Sequence, residues 1–526
     1  MKLSCTDHNI YIESESSTEN NALRISGFTF DKSKQLWATP FWQNLAIVWS
    51  YLSEGEKEIV KAFKSKSDDR MRNGKRIESS SEYPCPEEKS FFHFQKAGID
   101  FLLQNKNALL ADPMGLGKTI QAIGLINEIK AKKVLVICPA SLKINWRREL
   151  EAWLTINRSI AIWSSKKAES ADIVIINYDI VHKCYTSLRI EPWDTLILDE
   201  AHYLKNPKAK RTLHVLGGRQ KAAKNTVGKV LKPIPAKRNV ALTGTPILNR
   251  PSDLFSILKF LCPYGFPNKH KYMQRYCDLK IVNGYWDSKG ASNLTELNSK
   301  LRSTIMIRRK KEDVLKDLPE KLRQIIEIEP SISTGRRLMD ELGFLSKIEF
   351  DKAVKTLKLP KHLAFSEPVA SLRRKVGEDK IEKIADHIKL CLETNRKIIV
   401  FAYHKSVISE LSKVFNDICV VVTGDVSLIE RQDAVDAFQT DPEIKLFIGN
   451  IDAAGVGITL TASSHIIFAE TVWEPGKISQ AEDRAHRIGQ RNSVLIQHLV
   501  WKNSLDSYMI KAVIKKQENI DNALGD

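Results

Sequence analysis

The sequence predicts an α/β protein of two tandem lobes, each a parallel sheet flanked by helices. Short continuous runs of Val, Ile and Leu alternate with helical patterns, as in strands buried on both faces and joined by crossover helices. The runs form two series. The first holds 108–112, 133–139, 172–178, 195–200 and 239–245; the second holds 397–403, 419–424, 445–450, 465–470 and 494–500. The first run also leads into a Gly-rich loop and then into Ile120, Ile123 and Ile126 at helical spacing. Strand, glycine loop and helix in that order is an α/β supersecondary unit.

The elements follow in chain order. Residues 1–63 read as a small accessory module, with a hairpin across Arg24–Pro40 and an amphipathic helix carrying Trp42, Leu45, Val48 and Leu52. A polar linker rich in Ser, Lys, Arg and Glu occupies 64–88. The first lobe spans 89–262. Residues 263–385 read as helical protrusions and an inter-lobe linker, with a charged run from Arg308 to Lys316. The second lobe, ending in a helix, spans 386–526.

Composition narrows the classes. A chain of 526 residues is long enough for about three domains. A formal net charge of +18 favours a polyanionic partner, nucleic acid before a membrane surface. Eight scattered cysteines without a Cys-x-x-Cys pair predict neither a disulfide framework nor a zinc module, and point to a reducing compartment. The first residues are polar and lack a signal-peptide core, and no apolar run is long enough to span a bilayer. The expected protein is soluble and intracellular.

The loop Asp112-Pro113-Met114-Gly115-Leu116-Gly117-Lys118-Thr119 has the residue types that cradle nucleotide phosphates. Gly115 and Gly117 let backbone N–H groups turn inward. Lys118 can reach the β and γ phosphates, Thr119 can place its hydroxyl on Mg²⁺, and the helix N-terminus favours the anion. Asp112 stands where the general pattern has its first glycine. Downstream, Asp199-Glu200-Ala201-His202 closes the apolar strand Thr195-Leu196-Ile197-Leu198. Carboxylates at the carboxyl end of a parallel strand sit where such sheets bind ligands. Asp199 is suited to the Mg²⁺ shell, and Glu200 to orienting and deprotonating a water. The stretch Ala201–Ser252 contains no acid but many bases, including Lys208, Lys210, Arg211, Lys221, Lys224 and Lys229. It fits either a solvated loop or a phosphate-backbone contact.

These motifs, with those that follow in order over roughly residues 90–515, resemble the two-lobed motor of helicase superfamily two in its Swi/Snf-type DNA translocase branch. The resemblance implies RecA-like lobes, ATP and Mg²⁺ as cofactors, and DNA as partner. It makes Gln95 the reader of adenine, beside the nucleotide residues Met114, Gly115, Leu116, Gly117 and Lys118. Ser141 and Lys143, in Cys138-Pro139-Ala140-Ser141-Leu142-Lys143, match the first DNA-contact motif, and Trp146 beside them reads as core. Leu242-Thr243-Gly244-Thr245-Pro246 resembles the motif that couples hydrolysis to movement; His202, Thr243 and Thr245 carry that role. Ile247-Leu248-Asn249-Arg250-Pro251 and Arg308-Arg309-Lys310-Lys311 with Leu318-Pro319 are similar to the fork-remodelling, annealing-helicase subgroup, and Asn249 and Arg250 become DNA contacts.

In the second lobe, Tyr403, His404 and Lys405 match a DNA-side motif. Gly457 and Thr459 lie in a Gly-rich motif facing ATP and DNA, and Trp473 fits either a DNA-side contact or a buried anchor. Gln480, Arg484 and Arg487 are spaced i, i+4, i+7, which predicts one helix face closed by Gly489. The resemblance makes Gln480 a nucleotide contact and the two arginines catalytic. Pro113 stands where the family usually has Glu, and His93-Phe94 where it has Pro-Tyr. Trp37-Ala38-Thr39-Pro40 resembles a short part of the annealing helicases' substrate-recognition module.

The expectation is an ATP-driven motor, catalytic through Lys118, Asp199, Glu200, Arg484 and Arg487, acting on duplex, forked or junction DNA as a monomer. Single-strand-binding or replication proteins are candidate partners. The compact layout suits a bacterial, phage or viral protein; in a eukaryote the site of action would be the nucleus. Three alternatives stay open at this point: a strand-separating DNA helicase, an RNA helicase, and an ATP-gated DNA-binding scaffold.

Overall fold

The computed structural model describes residues 1–165, 168–220, 228–247, 250–282, 285–288, 290–329, 367–454, 458–502 and 504–524. The chain divides into two compact units, Met1–Val314 with Ile520–Asp526, and Leu315–Asn519. Among the described residues no helix is long and apolar enough to cross a membrane.

The first unit opens with strands β1 (Lys2–Cys5), β2 (Ile10–Glu13), β3 (Thr29–Asp31) and β4 (Leu36–Thr39), an antiparallel sheet in the order β1-β2-β4-β3. The hairpin expected at Arg24–Pro40 is thus half of a larger sheet. The helix expected from Trp42 to Leu52 is instead two short 3-10 turns, Trp42–Leu45 and Trp49–Tyr51. The spacing explains it: Trp42, Leu45 and Val48 recur every third residue, the 3-10 period.

A helix, Glu54–Asn73, follows. Ser53 and Glu56 cap it reciprocally, with Ser53 N to Glu56 Oε2 at 2.9 Å and Glu56 N to Ser53 Oγ at 3.3 Å. The other Glu56 oxygen accepts from Leu3 N at 2.8 Å and so ties the helix to β1. The helix runs ten residues into the segment read as a polar linker. Its buried row is Val60, Phe63, Ser67 and Arg70, so helical spacing continues where the buried residues turn polar.

The main sheet of the first unit holds β5 (Asn107–Leu110), β6 (Val134–Cys138), β7 (Ile160–Ile162), β8 (Ile173–Asn177), β9 (Trp193–Asp199), β12 (Ala236–Leu242) and β15 (Met306–Ile307). Two short ribbons interrupt the series, β10 (Gly218–Arg219) with β11 (Val230–Leu231), and β13 (Lys280–Val282) with β14 (Tyr285–Asp287). The order is β15-β5-β12-β9-β6-β8-β7, and every pairing is parallel. All five residues of β6 and of β8 are buried, as their unbroken apolar runs require.

The second unit holds β16 (Lys321–Ile328), β17 (Ile398–Ala402), β18 (Cys419–Val422), β19 (Leu446–Asn450), β20 (His465–Phe468) and β21 (Val494–Trp501). They form a parallel sheet in the order β16-β21-β20-β17-β19-β18. All ten strands expected from the two apolar series are present.

The segment 263–385 is shared between the units. Helices Lys269–Tyr276 and Leu294–Arg302 and strand β15 belong to the first, while β16 and helix Glu367–Asp379 belong to the second. It therefore contains edge strands as well as the helices expected of it; residues 330–366 lie outside the described residues.

β16 also brings Lys321 and Arg323 onto Glu482, at 3.1 and 2.7 Å, and Lys321 reaches Asp483 at 3.0 Å. Burial pushes the Glu482 carboxyl up, but the two cations outweigh it and hold it at about 2. His498 lies stacked on Phe468 at 4.6 Å, and burial holds its imidazole down at about 4. An unfolded His takes its proton near pH 6.5, the native one only near 4, so stability falls as pH drops between these values. The expected loss from His498 is about 3 kcal/mol. Glu482 adds a second loss below about pH 4.5, as the pH falls towards its native value. Urea unfolding of the wild type and of His498→Gln at pH 7 and pH 4.5 checks this: the variant should lose less, and equal losses would contradict it.

Candidate active site

Register assembles the site. Leu242 of β12 lies opposite both Leu110 of β5 and Asp199 of β9, and Ile307 of β15 lies opposite Leu110. Four carboxyl ends are thus level, and the residues that follow them, Ala111-Asp112, Thr243-Gly244, Glu200 and Arg308-Arg309, emerge along one edge.

The loop after β5 turns at Gly115 and Gly117, whose φ angles are 87° and 70°. Gly117 then caps helix Lys118–Glu128. Side chains rarely adopt these angles, so glycine is required there. Lys118 Nζ lies back across the loop, 2.9 Å from the Asp112 carbonyl and 3.2 Å from that of Pro113. Thr119 follows in the first helical turn, half-buried. Met114 and Leu116 are buried. Gly244 presses against the loop: a Cβ there would stand 2.6 Å from Met114 Cγ and 3.2 Å from Lys118 Nζ.

Asp199 is held from three sides. Trp146 Nε1 donates to Oδ2 at 2.7 Å, the Glu200 amide to Oδ1 at 2.9 Å, and Tyr178 Oη to the Asp199 carbonyl at 2.8 Å. Trp146, read as core, is fully buried and also orients this carboxylate. Burial raises the Asp199 carboxyl above its usual range and neighbouring Glu200 raises it further; the Trp146 bond and the Lys118 charge offset this only in part. Two buried carboxylates side by side therefore favour a cation.

Glu200 has φ 48° and ψ 52°, a left-handed conformation that costs a non-glycine residue of order 1–3 kcal/mol. The turn lets His202 Nδ1 approach Glu200 Oε2 at 3.2 Å and Thr243 Oγ1 at 3.2 Å. Thr243 Oγ1 in turn accepts from Thr245 N at 3.2 Å. A polar chain from Glu200 to Thr245 thus joins the ends of β9 and β12.

Gln95 is buried in the first turn of helix His93–Gln104. Its Oε1 accepts from Phe92 N at 3.1 Å, and its Nε2 reaches the Leu116 carbonyl at 3.4 Å. The amide thus caps its helix and touches the phosphate loop.

The sequence reading missed the clamp on this loop. Arg309, expected in the charged run of the protrusions and inter-lobe linker, is buried with Asp112, and both side chains are 0% exposed. Arg309 N and Nε donate to Asp112 Oδ1 at 3.1 and 3.0 Å, a second guanidinium nitrogen bonds Oδ2, and Nη2 donates to Gln121 Oε1 at 2.9 Å. Gln121 Nε2 donates to the Leu116 carbonyl at 3.1 Å. Arg308 Nη1 donates to the Ala111 carbonyl at 2.5 Å. Gly74, at the end of helix Glu54–Asn73, backs this strand: its carbonyl accepts from Arg308 N at 3.2 Å and from Arg302 Nη1 at 2.7 Å. The available signals were Asp112 in a glycine's place and two arginines directly after Met306-Ile307.

Among the expected DNA-side residues of this unit, Ser141 lies in the 3-10 turn after β6 and Lys143 opens helix Lys143–Trp153. Arg250 N donates to Asp253 Oδ2 at 3.3 Å. Arg211 pairs with Asp179 at 3.4 Å, while Lys208 and Lys210 are exposed. Asn249, Lys221 and Lys224 lie outside the described residues.

In the second unit the predicted helix face is corrected. The helix is Pro475–Glu482, so Gln480 lies on it, while Arg484 and Arg487 follow in turns. The two arginines still converge: Arg484 Nη1 and Arg487 Nη1 approach the Ile458 carbonyl at 3.3 and 3.5 Å. Arg484 Nε also donates to the Gln480 carbonyl at 3.0 Å, and Arg487 Nη1 to Thr459 Oγ1 at 2.8 Å. Glu482 is drawn instead to β16, which explains the early helix end. Gly489, with φ 99°, turns the chain further on. Gly457 lies outside the described residues.

Buried Glu470 accepts from the Tyr403 and His404 amides at 2.8 and 2.9 Å and meets His404 Nδ1 at 2.5 Å. Burial pushes its carboxyl up, but these bonds and His404 outweigh that and hold it below its usual range. The Arg373 guanidinium covers the Tyr403 ring at 4.8 Å, and Lys405 pairs with Asp425. Trp473 is half-buried, with its carbonyl bonded by Lys516 Nζ at 2.9 Å.

Two parallel α/β units, with a phosphate-type loop and an acidic pair on one sheet edge, place the chain among phosphate-loop proteins. Comparison with known families narrows this. The SNF2-related domain matches residues 42–338, and the helicase conserved C-terminal domain matches 379–489. The chain belongs to the SNF2-related family.

The DNA annealing helicase and endonuclease ZRANB3 of Homo sapiens is 35% identical over 441 residues, 79% of this chain and 39% of that protein. The SWI/SNF-related matrix-associated actin-dependent regulator of chromatin subfamily A-like protein 1 homolog of Caenorhabditis elegans is 35% identical over 443 residues, 81% of this chain and 60% of that protein. The chain thus spans 39% and 60% of the length of these two relatives. The Sulfolobus solfataricus SWI2/SNF2 ATPase core in complex with dsDNA aligns at 23% identity and a TM-score of 0.39, over 85% of this chain and 99% of that one.

Proposed function

We propose that this chain is a DNA-dependent ATPase that uses ATP hydrolysis to move on DNA and acts in fork or junction remodelling or strand annealing. The observation that carries the reading is the level edge on which Lys118, Asp199, Glu200 and the His202–Thr243 pair meet. The annealing-helicase relative supports the choice of substrate.

Each residue has a role. Lys118 and the amides of 115–119 bind the β and γ phosphates. Gln95 reads the adenine. Thr119 and Asp199 would hold Mg²⁺, a hard cation that takes oxygen ligands. The ion would neutralise phosphate charge. The raised Asp199 carboxyl fits a cation there. Glu200 orients the attacking water and takes its proton. Gln480, Arg484 and Arg487 act at the phosphates, where an arginine contributes about 10³–10⁵ in rate. His202, Thr243 and Thr245 pass the state of Glu200 to the segment after β12, with its DNA contact Arg250. Ser141, Lys143, Tyr403, His404, Lys405, Thr459 and Trp473 are the other DNA-side groups.

Movement is tested by displacement of a labelled third strand from a duplex. Displacement with ATP, and none with a non-hydrolysable analogue, is expected; none with either contradicts the motor. The basic segment has its own test. Lys208→Ala with Lys210→Ala should weaken duplex binding and flatten the dependence of log affinity on log salt by about 2. An unchanged slope would make that segment merely solvated.

A further inference from the structure

The ribbon of β13 and β14 is absorbed by none of these roles. It exposes three large apolar side chains, Ile281 at 64%, Tyr285 at 74% and Trp286 at 61%. Register pairs Ile281 with Trp286 and Val282 with Tyr285. Adjacent strand residues face opposite ways, so Trp286 and Tyr285 present rings on opposite faces of a two-stranded blade.

The surroundings are basic. Trp286 meets His270 edge-to-face at 5.3 Å. His270 lies between Lys269 and Lys271, all exposed on helix Lys269–Tyr276. Lys269 is close enough to Lys208 for their charges to repel, which links this helix to the basic segment Ala201–Ser252. Asp278 pairs with Lys280 at 2.8 Å, Glu296 with Arg275 and Lys300, and Asp287 lies opposite Lys280 in the ladder. No carboxylate pairs with Lys208, Lys269 or Lys271 among the described residues.

Exposed aromatic faces beside such lysines complement a nucleic-acid strand, rings against bases and ammonium groups against phosphates. Inside a continuous duplex every base face is covered by its neighbour. An aromatic ring finds a free base only where the stack ends, at a fork, a gap or a single-stranded arm.

We propose that the β13–β14 ribbon is a base-stacking element, in which Tyr285 and Trp286 take the faces of unpaired DNA bases at a junction while Lys269 and Lys271 hold the adjoining phosphates. This rests on the DNA-motor reading and deepens it, since it gives the chain a means to tell a junction from plain duplex.

The test compares the full chain with two double variants, Tyr285→Leu/Trp286→Leu, which keeps apolar bulk and loses the rings, and Tyr285→Phe/Trp286→Phe, which keeps rings. A blunt duplex and a fork of equal length, with 2-aminopurine at the first unpaired base, are titrated without ATP. The wild type and the Phe pair should quench the fluorophore and prefer the fork. The Leu pair should lose the quench and bind the fork about tenfold or more weaker, with duplex affinity unchanged. Wild-type quenching in the Leu pair, or equal loss on duplex and fork, overturns the proposal. Because the readout needs no hydrolysis, ring-dependent quenching in a chain that turned over no ATP would support the ribbon while refuting the motor.

Discussion

Replacing Glu200 with Gln is expected to lower DNA-stimulated ATP turnover by about 10²–10⁴ while ATP binding persists. The amide has the carboxylate's shape but cannot take a proton from water. The left-handed turn at Glu200 and the amide bond to Asp199 Oδ1 do not depend on the side-chain charge, so the geometry should survive. Loss of that charge also removes one of the influences that raise the Asp199 carboxyl, so Asp199 should ionise more readily. Steady-state hydrolysis beside equilibrium binding of a fluorescent ATP analogue separates the two effects. Wild-type turnover in Glu200→Gln would take this residue out of the mechanism.

The second large effect is expected at Arg309 and Asp112, through stability and the nucleotide together. Arg309→Met leaves the fully buried Asp112 carboxylate without its cation, and Asp112→Asn leaves the guanidinium without its anion. Breaking a buried pair from one side costs about 3–5 kcal/mol. A neutral pair is far less costly, so Arg309→Met with Asp112→Asn should lose much less than the sum of the singles. Urea unfolding of the four chains measures this. The clamp also reaches the Leu116 carbonyl through Gln121, so the single variants should raise KM for ATP more than they lower kcat. Strictly additive losses with unchanged KM would mean that the pair neither couples nor positions the loop.

The parts legible in the sequence were those whose signal is local. Unbroken apolar runs such as Val134–Cys138 read as fully buried strands because they are short and rich in β-branched residues. The glycines at 115 and 117 and the Asp199-Glu200 pair are readable because their backbone angles and strand-end position demand them. Register, which levels β5, β12, β9 and β15, is a tertiary property and was not readable. The partner of Arg309 is not legible in a charged run, because only the three-dimensional position of Asp112 reveals it. Helix Glu54–Asn73 was cut short for a related reason, since Ser67 and Arg70 occupy buried positions that a hydrophobic pattern cannot show. The arginines after Glu482 were placed on a helix by spacing alone, whereas the ion pairs with Lys321 and Arg323 come from a strand far away in sequence.

The most direct test of the central claim is steady-state ATP hydrolysis by the full chain, alone and with single-stranded DNA, duplex, fork or RNA, beside Lys118→Ala. A DNA motor predicts strong stimulation by duplex or fork and none in Lys118→Ala. Stimulation by RNA alone, or no turnover with any nucleic acid, would contradict it.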